Sequence, residues 1–179
     1  RVSSVNAAAK LVREQKVDFI VAVGGGSVID ASKAIAAAVK YEGDAWDLVK
    51  DGSLIKDALP LFSVLTLAAT GSEYDAPGVI SNMQTNEKQA ISSPLLFPKA
   101  SFCDPAVSAS VPAWHTAAGA ADIMSHTFEQ YLVSEGNDVS DGFCETILKT
   151  VIKNAPICIK DPTNLEARSA MMLASSFGC

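Results

Sequence analysis

The stretch Val17 to Ala38, VDFIVAVGGGSVIDASKAIAAA, constrains the chain most. Phe19 to Val23 are apolar, rich in β-branched types, and end abruptly in glycine. A short run of that kind predicts a strand buried on both faces. Gly24, Gly25 and Gly26 lack a Cβ, so the chain can turn tightly there and its backbone can approach another group closely. Ser27 fits the N-cap of the helix expected over Val28 to Val39. Strand, glycine turn and helix N-terminus together form an anion-binding geometry, because free N–H groups and the positive end of the helix dipole converge on one spot. Glycine triplets also occur in plain turns between a strand and a helix. The turn is neither the dinucleotide fingerprint G-x-G-x-x-G nor a P-loop. Asp30 and Lys33 lie one turn apart on the new helix and can pair, an ordinary structural role.

The 179 residues suffice for one domain, or for one and a part. With 49% hydrophobic residues, a large core is expected and disorder is not. The net charge of -6 comes with no basic run, which argues against nucleic acid and against an anionic membrane surface. The longest apolar runs, Phe19 to Val23 and Ala34 to Val39, are far too short to span a bilayer. No signal peptide is visible. The chain opens on Arg1, and both ends fall in helical patterns, so it is expected to be part of something longer. Cys103, Cys144, Cys158 and Cys179 form no C-x-x-C pair and sit among apolar neighbours. They read as reduced, small hydrophobes, which fits a cytoplasmic protein.

Ser3 to Gln15 has the spacing of an amphipathic helix. Glu42 to Asp51 is a polar loop with a helical turn at Trp46 to Val49. Leu61 to Thr66, after Pro60, is a second buried strand. The order helix, strand, helix, strand suggests parallel strands joined by crossovers. A second glycine-hydroxyl loop follows, Thr70-Gly71-Ser72-Glu73. Val79 to Asn82 and Gln89 to Ser92 are short strands around the turn Thr85-Asn86-Glu87. Ser101 to Cys103 is one more. Beyond Pro105 the pattern is helical throughout: a helix after Pro112 to about Val133, a second from Asn137 to Ile159 bent or ended by Pro156, and a third from Thr163 to Phe177. Thr163 and Glu166 fit a capping box. The fold class is therefore α/β followed by all-α, divided near residue 105.

On the helix after Pro112, Asp122 and His126 are four residues apart and leave the same face. A carboxylate and an imidazole so placed can share a divalent cation. Spacing alone favours an ordinary Asp–His pair, and two ligands do not complete a metal site. His115 lies two turns away, about 10 Å along the axis, and reads as surface or cap. Glu129 is a solvated charge or an outer partner of His126. No G-x-S-x-G elbow supports a serine hydrolase.

Three segments taken in order resemble the iron-containing (group III) alcohol dehydrogenases. They are Gly24-Gly25-Gly26-Ser27-Val28-Ile29-Asp30, Ala69-Thr70-Gly71-Ser72-Glu73, and Ala118-Gly119-Ala120-Ala121-Asp122 with His126. Tyr41 to Asp47 and Ile123 to Tyr131 look closest to the NAD(P)H-dependent butanol dehydrogenase branch. The resemblance implies a dehydroquinate-synthase-like fold. Residues 1–105 would be the C-terminal portion of an NAD(P)-binding α/β domain, and 106–179 the first helices of a metal-binding helical domain. Carried over residue by residue, Gly25, Gly26 and Ser27 would hold the cofactor pyrophosphate. Thr66, Thr70 and Ser72 would line the nucleotide and nicotinamide ribose. Lys88 matches a family lysine near the cofactor, and also reads as a solvated hairpin lysine. Asp122 and His126 match two of the family's metal ligands, for Fe2+ or Zn2+; the others are expected beyond Cys179. Leu67 departs from the family, in which many members carry a threonine there.

The implied reaction is hydride transfer between NAD or NADP and a short-chain primary alcohol or aldehyde, with the metal acting on the substrate oxygen and the complete protein a homodimer. Two alternatives stand beside it: a carbon–oxygen lyase of the dehydroquinate synthase type, and an inactive nucleotide-binding fragment. The lyase should present basic residues to an acidic substrate, yet Arg168 is the sole arginine after Pro105. The 179-residue chain alone is expected to bind iron or zinc weakly, to aggregate, and to show no aldehyde-dependent oxidation of NADH or NADPH. Turnover by the isolated, metal-loaded chain would overturn that expectation.

Overall fold

The computed structural model describes residues 1–133 and 135–179. They fall into two compact units, one made of 1–64 and 72–101, the other of 65–71 and 102–179. The sequence puts its division near residue 105. By contacts, the segment 65–71 belongs with the helices that follow residue 102.

In the first unit, α1 (Val2–Glu14), β1 (Ile20–Gly24), α2 (Gly26–Ala38) and α3 (Ala45–Lys50) come first. Then follow β2 (Leu61–Leu65), the hairpin of β3 (Gly78–Asn82) and β4 (Glu87–Ile91), and β5 (Ala100–Phe102). The parallel sheet has the order β1-β2-β5. Ser63 Oγ lies 2.7 Å from Ser101 Oγ, which in turn donates to the carbonyl of Glu73 at 2.6 Å. This chain of hydroxyls ties β2, β5 and the loop after residue 71.

The core lies among the helices and the hairpin. Ala34, Ala37 and Ala38 of α2 meet Val5 and Ala9 of α1, Trp46 and Leu48 of α3, and Ile80 and Ile91 of the hairpin. Alanine allows this approach, since its methyl group keeps helix axes close. Arg13 reaches from α1 to the carbonyls of Ala38, Val39 and Tyr41, at 2.8, 3.3 and 3.1 Å. It thereby satisfies acceptors that the end of α2 leaves without intrahelical donors. The hairpin pairs Gly78 with Ile91 and Asn82 with Glu87, and turns through Asn86 at φ 54, a conformation asparagine tolerates.

One expectation fails here. β1 is not buried on both faces: Ala22 is inside, but Val21 and Val23 are 48% and 59% exposed. The strand alternates because α2 covers one face of it and no described element covers the other. An unbroken apolar run permits two-sided burial without enforcing it.

The second unit holds α4 (Ala113–Tyr131), α5 (Asp138–Lys160) and α6 (Leu165–Phe177). Its core joins Ala120 and Ile123 of α4, Val151, Ala155 and Cys158 of α5, and Ala167, Met171 and Ala174 of α6. Asn137 caps α5 with a reciprocal Ser140 contact. Pro156 sits inside α5 and does not end it. The capping box expected at Thr163 is absent. Thr163 Oγ1 donates to Asp161 Oδ1 at 2.8 Å instead, and Asn164 caps α6 by accepting from the Ala167 N–H. Asp161 sits two residues upstream and captures the hydroxyl that would have capped the helix. Cys144 and Cys158 are buried, whereas Cys103 and Cys179 are exposed, against the expectation of four apolar sites. Burial pushes the Cys158 thiol pKa up, while the Arg168 charge pulls the other way. No helix among the described residues is long and apolar enough to cross a membrane.

The loop 65–71 is seated on α4 through Gly119. A Cβ at Gly119 would lie 2.4 Å from the carbonyl oxygen of Ala68. At its far end Gly71 has φ +69, and a Cβ there would lie 2.5 Å from Cys179 Cβ. Gly119→Ala is therefore expected to lower the unfolding midpoint by several degrees, a loss of about 1–3 kcal/mol. A midpoint equal to wild type would show that the loop gives way freely.

Candidate functional site

The first cluster is the glycine turn. α2 begins at Gly26, with Gly25 as its N-cap at φ -85 and ψ -173. Ser27 is therefore not the cap; it lies inside the first turn, and no side chain caps the helix. The Gly25 carbonyl accepts from Val28 and Ile29 at 3.0 and 3.2 Å, so the first N–H groups of α2 have no intrahelical acceptor. Gly24 is needed for packing, since a Cβ there would lie 2.6 Å from Val28 Cγ2. Gly25, by contrast, has backbone angles open to any residue, so its lack of a side chain is not a conformational demand.

Asp30 and Lys33 do not pair with each other. Asp30 Oδ1 accepts from Ser72 Oγ at 2.6 Å, and its Oδ2 accepts from the Val79 N–H at 2.9 Å. Lys33 is fully buried and donates to Asp75 Oδ1 at 2.6 Å and to the Pro77 carbonyl at 2.7 Å. Both side chains are drawn to the 72–79 segment, which offers the buried Lys33 ammonium two acceptors and the Asp30 carboxylate two donors. Ser72 is thus fastened to the helix that the glycine turn opens. Lys88 is exposed on β4, paired across the hairpin with Ser81.

The second cluster lies on α4 and the loop it holds. Thr66 and Thr70 are half-buried on the 65–71 segment seated against Gly119. One turn beyond Gly119, Asp122 and His126 stand side by side, Nε2 3.9 Å from Oδ1, with side chains 30% exposed for His126 and 41% for Asp122. That separation is too long for a hydrogen bond. It is less than the sum of two metal–ligand bonds of about 2.1 Å each, so both atoms can reach one ion. His126 Nδ1 is buried without a hydrogen-bond partner among the described residues. The two side chains thus make no direct hydrogen bond, and a carboxylate oxygen and an imidazole nitrogen at this separation are atoms of the kind that ligate divalent cations. No group of three or more His, Cys, Asp or Glu side chains able to hold a metal occurs among the described residues. His115 is exposed, its ring edge-on to Trp114 at 5.2 Å, and Glu129 is exposed.

The roles of Asp30 and Lys33 were not legible in the sequence, because their partners lie more than forty positions away. Gly119 had a signal, a glycine within an alanine-rich helical run, though not one that names its neighbour.

The first unit thus carries a parallel sheet and a glycine-opened helix, and the second an all-helical part bearing an Asp–His pair. Residues 1–105 match the iron-containing alcohol dehydrogenase model, and residues 116–179 match the C-terminal model of the same family. The chain belongs to the iron-containing alcohol dehydrogenase family. It is 51% identical over 177 residues to NADH-dependent butanol dehydrogenase A of Clostridium acetobutylicum, covering 98% of this chain and 46% of that protein. It is 43% identical over 173 residues to the NADPH-dependent aldehyde reductase YqhD of Escherichia coli, covering 94% of this chain and 45% of that protein. The crystal structure of a Thermotoga maritima NADH-dependent butanol dehydrogenase A superposes with a TM-score of 0.95 at 38% identity, over 99% of this chain and 44% of that one. The chain thus spans about half the length of the relatives it matches.

Proposed function

We propose that this chain serves a metal-dependent oxidoreductase that passes hydride between NADH or NADPH and a short-chain primary alcohol or aldehyde. One observation carries the reading: Asp122 and His126 face each other at 3.9 Å, without a hydrogen bond, on the helix that seats the Thr66–Thr70 loop. In this reading residues 1–105 bind the nucleotide and 106–179 hold the metal. The N–H groups around Gly25, Gly26 and Ser27 bind the pyrophosphate. Thr66, Thr70 and Ser72 line the nucleotide and ribose, with Lys88 nearby. Asp122 and His126 Nε2 hold Fe2+, or Zn2+ in its place. A bound divalent ion would supply Lewis-acid chemistry at the substrate oxygen, and the nicotinamide would carry the hydride. The relatives named above include NADH- and NADPH-dependent enzymes, so both cofactors fit the reading. The lyase alternative loses the one arginine it had after Pro105. Arg168 is buried and donates to Pro162, Thr116 and Cys158, so it is not available to an acidic substrate in the second unit.

Two substitutions in the full-length protein test the two clusters separately. Gly25→Val introduces a side chain at a position whose backbone accepts one, so folding should persist. Affinity for NADH or NADPH is expected to fall about tenfold or more, roughly 1.4 kcal/mol. Unchanged affinity in a fluorescence titration would refute the pyrophosphate assignment. His126→Ala is expected to remove bound metal and nearly all turnover while sparing cofactor affinity. If elemental analysis still finds stoichiometric metal, His126 is not a ligand.

A further inference from the structure

We propose that Asp30 is a positioning residue for the cofactor, and that Ser72 contributes to cofactor binding through Asp30. The proposal rests on the cofactor reading above and concerns the first unit alone. The 72–79 segment is strapped to α2 at Ser72, Asp75, Pro77 and Val79. Asp30 holds the first and last of these points, and Lys33 holds the middle two. The approach between them is close: a Cβ at Gly78 would lie 3.1 Å from Asp30 Cα.

Stability alone does not call for a strap built of charged groups. A buried lysine and its carboxylate lose hydration on folding, and apolar residues of similar volume often serve stability equally well. What charged, hydrogen-bonded straps add is a fixed register, because each bond tolerates only a few tenths of an ångström. Here the register is set between two particular features. α2 opens with the glycine turn, and Asp30 lies one turn into it. The other end of the strap is Ser72, whose hydroxyl proton is directed to Asp30 rather than outward. Removing the Asp30 carboxylate would therefore release Ser72 from the helix that the glycine turn opens. Residues at both ends of that register are the ones assigned to the cofactor.

The test uses the full-length protein and NADH and NADPH as probes, with the variants Asp30→Ala, Asp30→Asn, Ser72→Ala and the Asp30→Ala/Ser72→Ala double. Asp30→Asn keeps one acceptor oxygen in place and guards against misfolding of the alanine variant. Each single alanine variant is expected to weaken cofactor binding about tenfold, and the double no more than the worse single, because both remove one shared contact. The KM for cofactor should rise far more than kcat at saturating cofactor falls. Asp30→Asn should lie between wild type and Asp30→Ala. Losses that multiply in the double variant, or a lowered unfolding midpoint with unchanged cofactor affinity, would overturn the proposal. Gly25→Val run in parallel separates the two failures. If it loses binding while the Asp30 variants keep it, the positioning role alone is wrong. If all of them keep it, the cofactor reading falls and the proposal with it.

Discussion

The carbonyl oxygen of Ala68 occupies the space where residue 119 would carry its first side-chain carbon. The second unit depends on that contact. The 65–71 segment has no regular structure after β2, so it needs a surface to define its path. α4 provides one only because Gly119 opens a gap in its wall. The other end of the segment is fixed by Gly71, whose positive φ turns the chain beside Ser175 and Cys179 of the C-terminal stretch. Two glycines thus fix where Thr66 and Thr70 stand on the helix that bears Asp122 and His126.

The first unit solves a similar problem by different means. Its 72–79 segment is held by buried polar groups, with Lys33 wholly enclosed. A lysine without exposure survives only if its charge is met, and Asp75 and the Pro77 carbonyl meet it. Steric fit governs one loop, and charge with hydrogen bonding governs the other. The two loops are consecutive in sequence yet belong to different compact units.

The elements themselves were largely legible in the sequence, since hydrophobic period and turn residues are local properties. α1, α2, the hairpin and the three long helices lie within a few residues of where pattern and capping place them. What was not legible is the set of choices made by competition. Ser27 is a good cap in isolation, but the helix begins two residues earlier than Val28, with Gly25 in the extended conformation. Thr163 is a good cap until Asp161 takes its hydroxyl. Asp30 and Lys33 are a good i, i+3 pair until a segment forty residues on offers each a better partner. Of the site, Asp122 and His126 were legible as two side chains sharing a face. Their distance, and the absence of a hydrogen bond between them, were not.

The position of that pair on α4 has a physical reason. Gly119, Ala120, Ile123 and Thr127 form the buried stripe of the helix, and Ile123 belongs to the core shared with α5 and α6. Thr127 is almost wholly buried, yet it adds no outward polarity, because its hydroxyl donates to the Ile123 carbonyl of its own helix at 2.7 Å. Asp122 and His126 each precede a buried residue of this stripe by one position, which places them on its border. A carboxylate at the border keeps part of its hydration, so it needs no buried counter-charge. The imidazole beside it has one nitrogen toward Asp122 and the other enclosed. The core contacts of the stripe prevent α4 from rotating about its axis, and that fixes the direction in which both side chains point. A pair on a freely exposed face would have no such constraint. A pair within the stripe would lose its hydration and its access to a ligand. The border is where two donor atoms can be both immobile and reachable.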